Sequence, residues 1–247
     1  MSKLKAAFCM VLVLLLICAG LYFFIFAPDY SSGWLLSWGE RAEKGGNKNR
    51  AAYFYEQSLS LNPYGTQARL RLTTLLRSQY KNTRAEELLR EGISLQPSNT
   101  SFYTELSGLL VGQGRLAEAV ETLDSAGSGV AGLRISALRP TVQATPHAGV
   151  YFQPVVFRIE TEPGVTYYYT LDGSLPDTES AVYTAPLSLS SSVRYCIRVI
   201  ALGPDNLPSR LYEYTYDLTG YHPAVSAGAV TEPGLRICPY CGRSFMD

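Results

Sequence analysis

Three patterns of hydrophobic and polar positions follow one another along the chain, and each predicts a different element. Residues 6–27, AAFCMVLVLLLICAGLYFFIFA, carry no charge over 22 positions. As a helix at 1.5 Å per residue this run is about 33 Å long, enough for a hydrocarbon core of about 30 Å. Between residues 29 and 135 the apolar positions take helical spacing, as in RAEELLREGISLQP (84–97) and RLAEAVETLDSAG (115–127). Apolar side chains at i, i+3, i+4 and i+7 then line one face of each helix. From Gly149 the pattern turns to β: VVFRIE (155–160), VTYYYTL (165–171), SVRYCIRVIAL (192–202) and RLYEYTY (210–216) read as strands. Turn signals separate them at Pro163-Gly164, Asp172-Gly173, Gly203-Pro204-Asp205-Asn206 and Pro208-Ser209. In the third strand Val193, Tyr195, Ile197, Val199 and Ala201 share one face, and Arg194, Cys196 and Arg198 the other.

The first run favours an uncleaved membrane anchor over a signal peptide, because it continues through Phe26, well past the small residues at Cys18-Ala19-Gly20. LLIC lacks the small residues that usually precede a lipidated cysteine. Lys3, Lys5 and the amino terminus lie closer to the run than Arg41, Lys44 and Lys48. That bias places the N-terminus inside and the body extracytoplasmic. Residues 1–28 are therefore expected to be a cytoplasmic stub and a single-pass transmembrane helix.

Within the helical region three windows superpose at a spacing of 34 residues. Trp38, Gly39, Ala42, Gly46, Ala51, Tyr55, Ser58 and Pro63 align with Leu72, Thr73, Leu76, Tyr80, Ala85, Leu89, Gly92 and Pro97. The third window supplies Leu106, Ser107, Leu110, Gly114, Ala119, Leu123, Ala126 and Ala131. Small residues recur where helices would cross and large ones where they would fill the gap. The pattern resembles the tetratricopeptide repeat. It departs from it at Thr73 and at the third window, which lacks its proline. The resemblance implies helical hairpins stacked into a short solenoid over residues 29–135 that binds protein or peptide in a groove. No dicarboxylate-clamp set of basic residues is evident.

The segment YYTLDGSLPDTESAVYTAPLSL, followed by VRYCIRVIAL and PSRLYEYTYDL, resembles the chitobiase/β-hexosaminidase C-terminal domain. The hallmark Tyr-Thr-x-Asp-Gly-Ser-x-Pro falls on Tyr169, Thr170, Asp172, Gly173, Ser174 and Pro176, with a Tyr-x-x-Pro step at Tyr183 and Pro186. The resemblance implies a fibronectin-III-like antiparallel β-sandwich over residues 140–219. In the glycosidases that give the family its name, catalysis resides in a separate barrel of about 250 residues, and these 247 residues are taken up by other patterns. Asp172 and Asp177 share one turn-rich loop, with no second element to bring a carboxylate across a substrate, which argues against a glycosidase acid pair. Asp172, Ser174 and Asp177 lack the dense ligand spacing of a calcium loop. The tyrosine row reads either as a sugar platform or as a packed sheet face.

Composition narrows the remaining classes. The 21 basic and 21 acidic side chains balance, and neither region has the basic excess that nucleic acid requires. The five cysteines are not a disulfide framework: Cys9 and Cys18 lie in the apolar run, Cys196 in a strand, and Cys238 and Cys241 in CPYCGRSF. This last segment matches the Cys-Pro-Tyr-Cys of glutaredoxins, but too few residues follow for the helix that active site needs. It also resembles one zinc-ribbon knuckle. A structural zinc site takes four ligands, so zinc at Cys238 and Cys241 would require a partner or second chain, even with His222 as a third ligand. A local disulfide or an inert tail is the other reading. His147 and His222 have no nucleophile and acid beside them. The expected architecture is multidomain, α then β: anchor, all-α tetratricopeptide solenoid, antiparallel β-sandwich and a flexible tail over 220–247. The expected role is a bacterial-style, membrane-anchored, non-enzymatic protein-interaction scaffold with no catalytic residues. The alternative is a cell-surface carbohydrate-binding accessory module.

Overall fold

The computed structural model describes residues 28–220 without a break, together with residues 10, 13–18, 20 and 22 and the short segments 235–237 and 244–246. Two compact units divide the chain, Met1–Leu106 and Ser107–Asp247. Much of the apolar run 6–27 lies outside the described residues; its described positions are helical and exposed. Among the described residues no helix is long and apolar enough to cross a membrane.

The first unit is built of antiparallel helix pairs. Helices α1 (Pro28–Lys44) and α2 (Lys48–Leu61) form one hairpin, and α3 (Thr66–Ser78) and α4 (Asn82–Leu95) the next, with α2 packed on α3. Helix α5 (Thr100–Val111) spans the boundary between the units. The 34-residue register is visible in the backbone itself. Gly46, Tyr80 and Gly114 all take positive φ, at 78°, 59° and 79°. The next amides, Asn47, Lys81 and Arg115, donate to the carbonyls of Ala42, Leu76 and Leu110 at 2.9–3.0 Å. Each hairpin turn thus begins with a left-handed residue closing the helix end, the usual glycine position. Only the middle one lacks glycine.

Small residues sit where the spacing puts them. Ala51 and Ala85 are fully buried. A methyl added at Gly39 would run into the Tyr55 ring, and one added at Gly92 would lie 2.8 Å from Arg69 Cδ and 3.1 Å from Phe102. The Tyr55 hydroxyl donates to Glu43 Oε2 at 2.6 Å. Burial and the adjoining carboxylate both hold that phenol well above its ordinary pKa.

In the second unit α6 (Leu116–Asp124) and α7 (Val130–Leu138) are short. Gly127 at positive φ ends α6 early, in the window that lacks the closing proline. The strands β1 (Ala144–Thr145), β3 (Val155–Ile159) and β6 (Leu187–Leu189) form one sheet in the order β1-β3-β6. The other sheet runs β2-β8-β7-β4-β5, from β2 (Gly149–Val150), β8 (Tyr212–Asp217), β7 (Arg194–Leu202), β4 (Thr166–Thr170) and β5 (Ala181–Val182). The two inner faces share one core of Val155, Phe157, Ile159 and Leu189 with Tyr167, Ile197, Val199, Ala201 and Tyr216.

The expected alternation of β7 is seen in Ile197, Val199 and Ala201, which are buried in that core. On the opposite face Arg194 and Arg198 pair with Asp217 and Glu213, their direct cross-strand partners on β8. Ile200 breaks the pattern: it is buried on the outer face. The purely antiparallel expectation fails at one edge, where β2 runs parallel to β8. The chain leaves β1, in the smaller sheet, and enters the larger one as β2 through residues 146–148. Strands β9 (Leu235–Ile237) and β10 (Ser244–Met246) pair antiparallel with each other.

Candidate protein-binding surfaces of the helical unit

Two concave surfaces of the first unit carry the geometry for binding. One is a groove of about 440 Å³ between the first two hairpins, with Glu56 and Leu59 from α2 on one side and Arg84 and Glu91 from α4 on the other. Its floor holds Arg69 on α3, 2% exposed. Arg69 Nη1 donates to Leu88 O and Glu91 Oε2, each at 3.0 Å, and Nη2 donates to Pro63 O at 2.9 Å. The groove wall is thereby fixed: one guanidinium holds the inter-repeat turn and two points on α4. At this register the first and third windows have Leu35 and Tyr103, so the spacing predicts an apolar side chain. The sequence signal missed was the polarity of this one position.

The other surface is a cavity of about 540 Å³ at the turn end of the first hairpin, lined by Trp38, Arg41 and Ala42 of α1, Gly45 and Asn47 of the turn, and Arg50 and Phe54 of α2. Trp38 packs edge-on against Phe54 with ring centroids 5.8 Å apart, and the Arg50 guanidinium stands 5.5 Å from the Phe54 ring centre. Glu40 and Glu43 instead lie toward Arg71 of α3, at 3.9 and 3.8 Å.

The residues singled out in the β region turn out to be structural. Asp172 accepts from the Ser174 amide at 3.0 Å and its hydroxyl at 2.6 Å, while Thr170 Oγ1 donates to Ser174 O at 2.7 Å and Gly173 takes φ of 81°. Asp177 accepts from the Glu179 amide and the Ser180 hydroxyl. The two carboxylates therefore cap separate turns, and these hydrogen bonds hold both below the usual aspartate range. Pro176 follows the first turn. Tyr167, Tyr183 and Tyr216 are core residues, with Tyr169, Tyr195, Tyr212 and Tyr214 packed against them. Their hydroxyls reach backbone: Tyr183 Oη accepts from the Ile159 amide at 3.0 Å, and Tyr216 Oη donates to Pro146 O at 2.5 Å. That face of the tyrosine row is packed, while Tyr168, on the other face of β4, is half-buried and outside the core.

Cys238 and Cys241, the residues considered for zinc, lie outside the described residues, as does His222. Among the described residues no group of three or more His, Cys, Asp or Glu side chains gathers as for a metal ion.

A family model described as Fn3 associated matches residues 157–216, from β3 to β8. No curated protein matches the chain. Among solved structures the chain is similar to the tetratricopeptide domain of Arabidopsis OM64, at 19% identity and a TM-score of 0.36 over 40% of this chain and 82% of that one. It is similar to the type III secretion translocator chaperone SycD of Yersinia enterocolitica, at 18% identity and a TM-score of 0.38 over 44% and 88%. It is also similar to MamA of Desulfovibrio magneticus RS-1, at 21% identity and a TM-score of 0.33 over 38% of this chain and 54% of that one.

Proposed function

We propose that this protein is a non-catalytic, membrane-anchored scaffold that binds protein or peptide through its helical repeats. The observation that carries the reading is the groove between the first two hairpins. Its floor is locked by Arg69, and Leu59, Arg84 and Glu91 line it. A rigid concave strip of mixed charge with apolar positions suits an extended or helical segment of another chain. The uncharged run 6–27 supports anchoring, and the lysines ahead of it support a body on the extracytoplasmic side. The carbohydrate-binding alternative is the weaker reading, because most of the tyrosines that suggested it pack in or against the sandwich core.

A photo-crosslinking residue at Leu59 in the full chain, expressed in cells, tests the groove. A discrete protein adduct that disappears in an Arg84→Glu, Glu91→Lys double variant supports it. Lipid adducts alone, or none, overturn it. Membrane-impermeant maleimide against Cys238 and Cys241 in intact cells tests the side: labelling, directly or after reduction, is expected, and labelling only by a permeant reagent reverses the topology.

A further inference from the structure

The 34-residue register allows the outer face of the first hairpin to be compared with the equivalent faces further in. Trp34 and Trp38 are 53% and 45% exposed. Their equivalents Ala68 and Leu72, one repeat on, are each 1% exposed, as are Phe102 and Leu106, two repeats on. Arg41, exposed, corresponds to the buried Leu75. What buries the α3 positions is the preceding hairpin, packed through its second helix, α2. The first hairpin therefore presents the same helix-receiving surface. Terminal repeats ordinarily carry a polar outer face, and this one carries Trp38 and Phe54 on a 540 Å³ hollow, with exposed Trp34 one helical turn before Trp38.

The charge on this face selects the occupant. Among the described residues neither Arg41 nor Arg50 is paired with a carboxylate, and Arg50 contacts only the Phe54 ring through its guanidinium. The acidic residues of α1, Glu40 and Glu43, are taken up by Arg71 and Tyr55. A second copy docking about a two-fold axis would set Arg41 and Arg50 against themselves. We propose that the outer face of α1 and α2 receives an amphipathic helix of another protein, its apolar stripe over Trp34, Trp38 and Phe54 and its carboxylates on Arg41 and Arg50. This goes beyond the groove: crosslinking from Leu59 reads the groove and not this face, so either can fail alone.

Both tryptophans of the chain lie on this surface, so intrinsic fluorescence reports it directly. The probe is a capped peptide of residues 115–127, RLAEAVETLDSAG, which has apolar positions at helical spacing and three carboxylates. It is titrated into the full chain in phosphatidylcholine nanodiscs at low salt. A saturable blue shift is expected, at least tenfold weaker for Arg41→Glu, Arg50→Glu and for a peptide whose Glu118, Glu121 and Asp124 are replaced by lysine. Both arginines are exposed, and an unchanged circular-dichroism melt confirms that the variant is folded. Absence of a shift, or equal binding of the lysine peptide, overturns the proposal. So does a blue shift on phosphatidylglycerol vesicles alone with no response to peptide, which would make this a lipid-facing surface.

Discussion

Each unit buries one arginine among the described residues, and the two serve different ends. Arg69 works locally, holding Pro63 O six residues before it and Leu88 and Glu91 one helix on. Arg139 works at long range. Its Nε donates to Pro208 O at 2.8 Å, and its Nη groups reach Ser209 O and Asp124 at the end of α6. A repeat needs its guanidinium only to join one hairpin to the next. The second unit uses the same group to tie a helix end to a loop of the sheet. Burial pulls the Arg139 guanidinium below its ordinary pKa, with Asp124 opposing the shift; the buried cation persists because all three of its nitrogens are satisfied.

The largest way to break this comparison is Arg139→Met. It strips donors from two buried carbonyls and leaves Asp124 with only Arg210, 4.0 Å away, for a loss of about 3 kcal/mol, read by urea unfolding followed through near-ultraviolet tyrosine dichroism. Arg69→Leu should cost less, about 2 kcal/mol, because leucine fills a position that is apolar in the other repeats and Glu91 can turn to water. Tryptophan fluorescence reads that variant, since both tryptophans lie in the first unit. A larger loss at Arg69 than at Arg139 would invert the distinction.

Gly92→Ala sharpens it. The added methyl meets Arg69 Cδ at 2.8 Å, so about 1–2 kcal/mol should be lost, and less in the Arg69→Leu background, as a double-mutant cycle would show. Tyr216→Phe removes one hydrogen bond in the sandwich, worth about 1 kcal/mol. Burial pushes the Tyr216 phenol up to about 12 from 10.0. Its contribution is therefore complete below pH 10 and lost as pH rises from 10 toward 12; the variant should lose stability less steeply in that window. The smallest effect is a gain. Tyr80, 92% exposed, holds the left-handed turn position that glycine fills at 46 and 114, so Tyr80→Gly should stabilise by about 0.5 kcal/mol.

Much of this was legible in the sequence because periodicity is a local property. The 34-residue spacing aligned Gly46, Tyr80 and Gly114, which the structure puts at the hairpin turns, and put small residues at the close crossings Ala51 and Ala85. Alternation placed Ile197, Val199 and Ala201 in the sandwich core. Asp-Gly located the tight turn at 172–173, where an aspartate can bond its own backbone and glycine can take positive φ. The candidate surfaces were less legible. Periodicity says that Trp38 and Leu72 occupy one register but not that the first stays half-exposed while the second is buried. Nor does a row of tyrosines reveal whether a second sheet covers it.

What the sequence determined by itself was the identity and order of elements, since these follow from side-chain period and turn chemistry within a dozen residues. Only the tertiary structure decided which polar groups would be buried and where exposed faces remain. Arg139 finds its carbonyl partners 69 and 70 residues away, Tyr216 its acceptor 70 residues away, and β2 its parallel neighbour only after leaving the other sheet. Those pairings depend on how sheets and helices close on one another, and no local pattern of hydrophobic and polar residues encodes that closure.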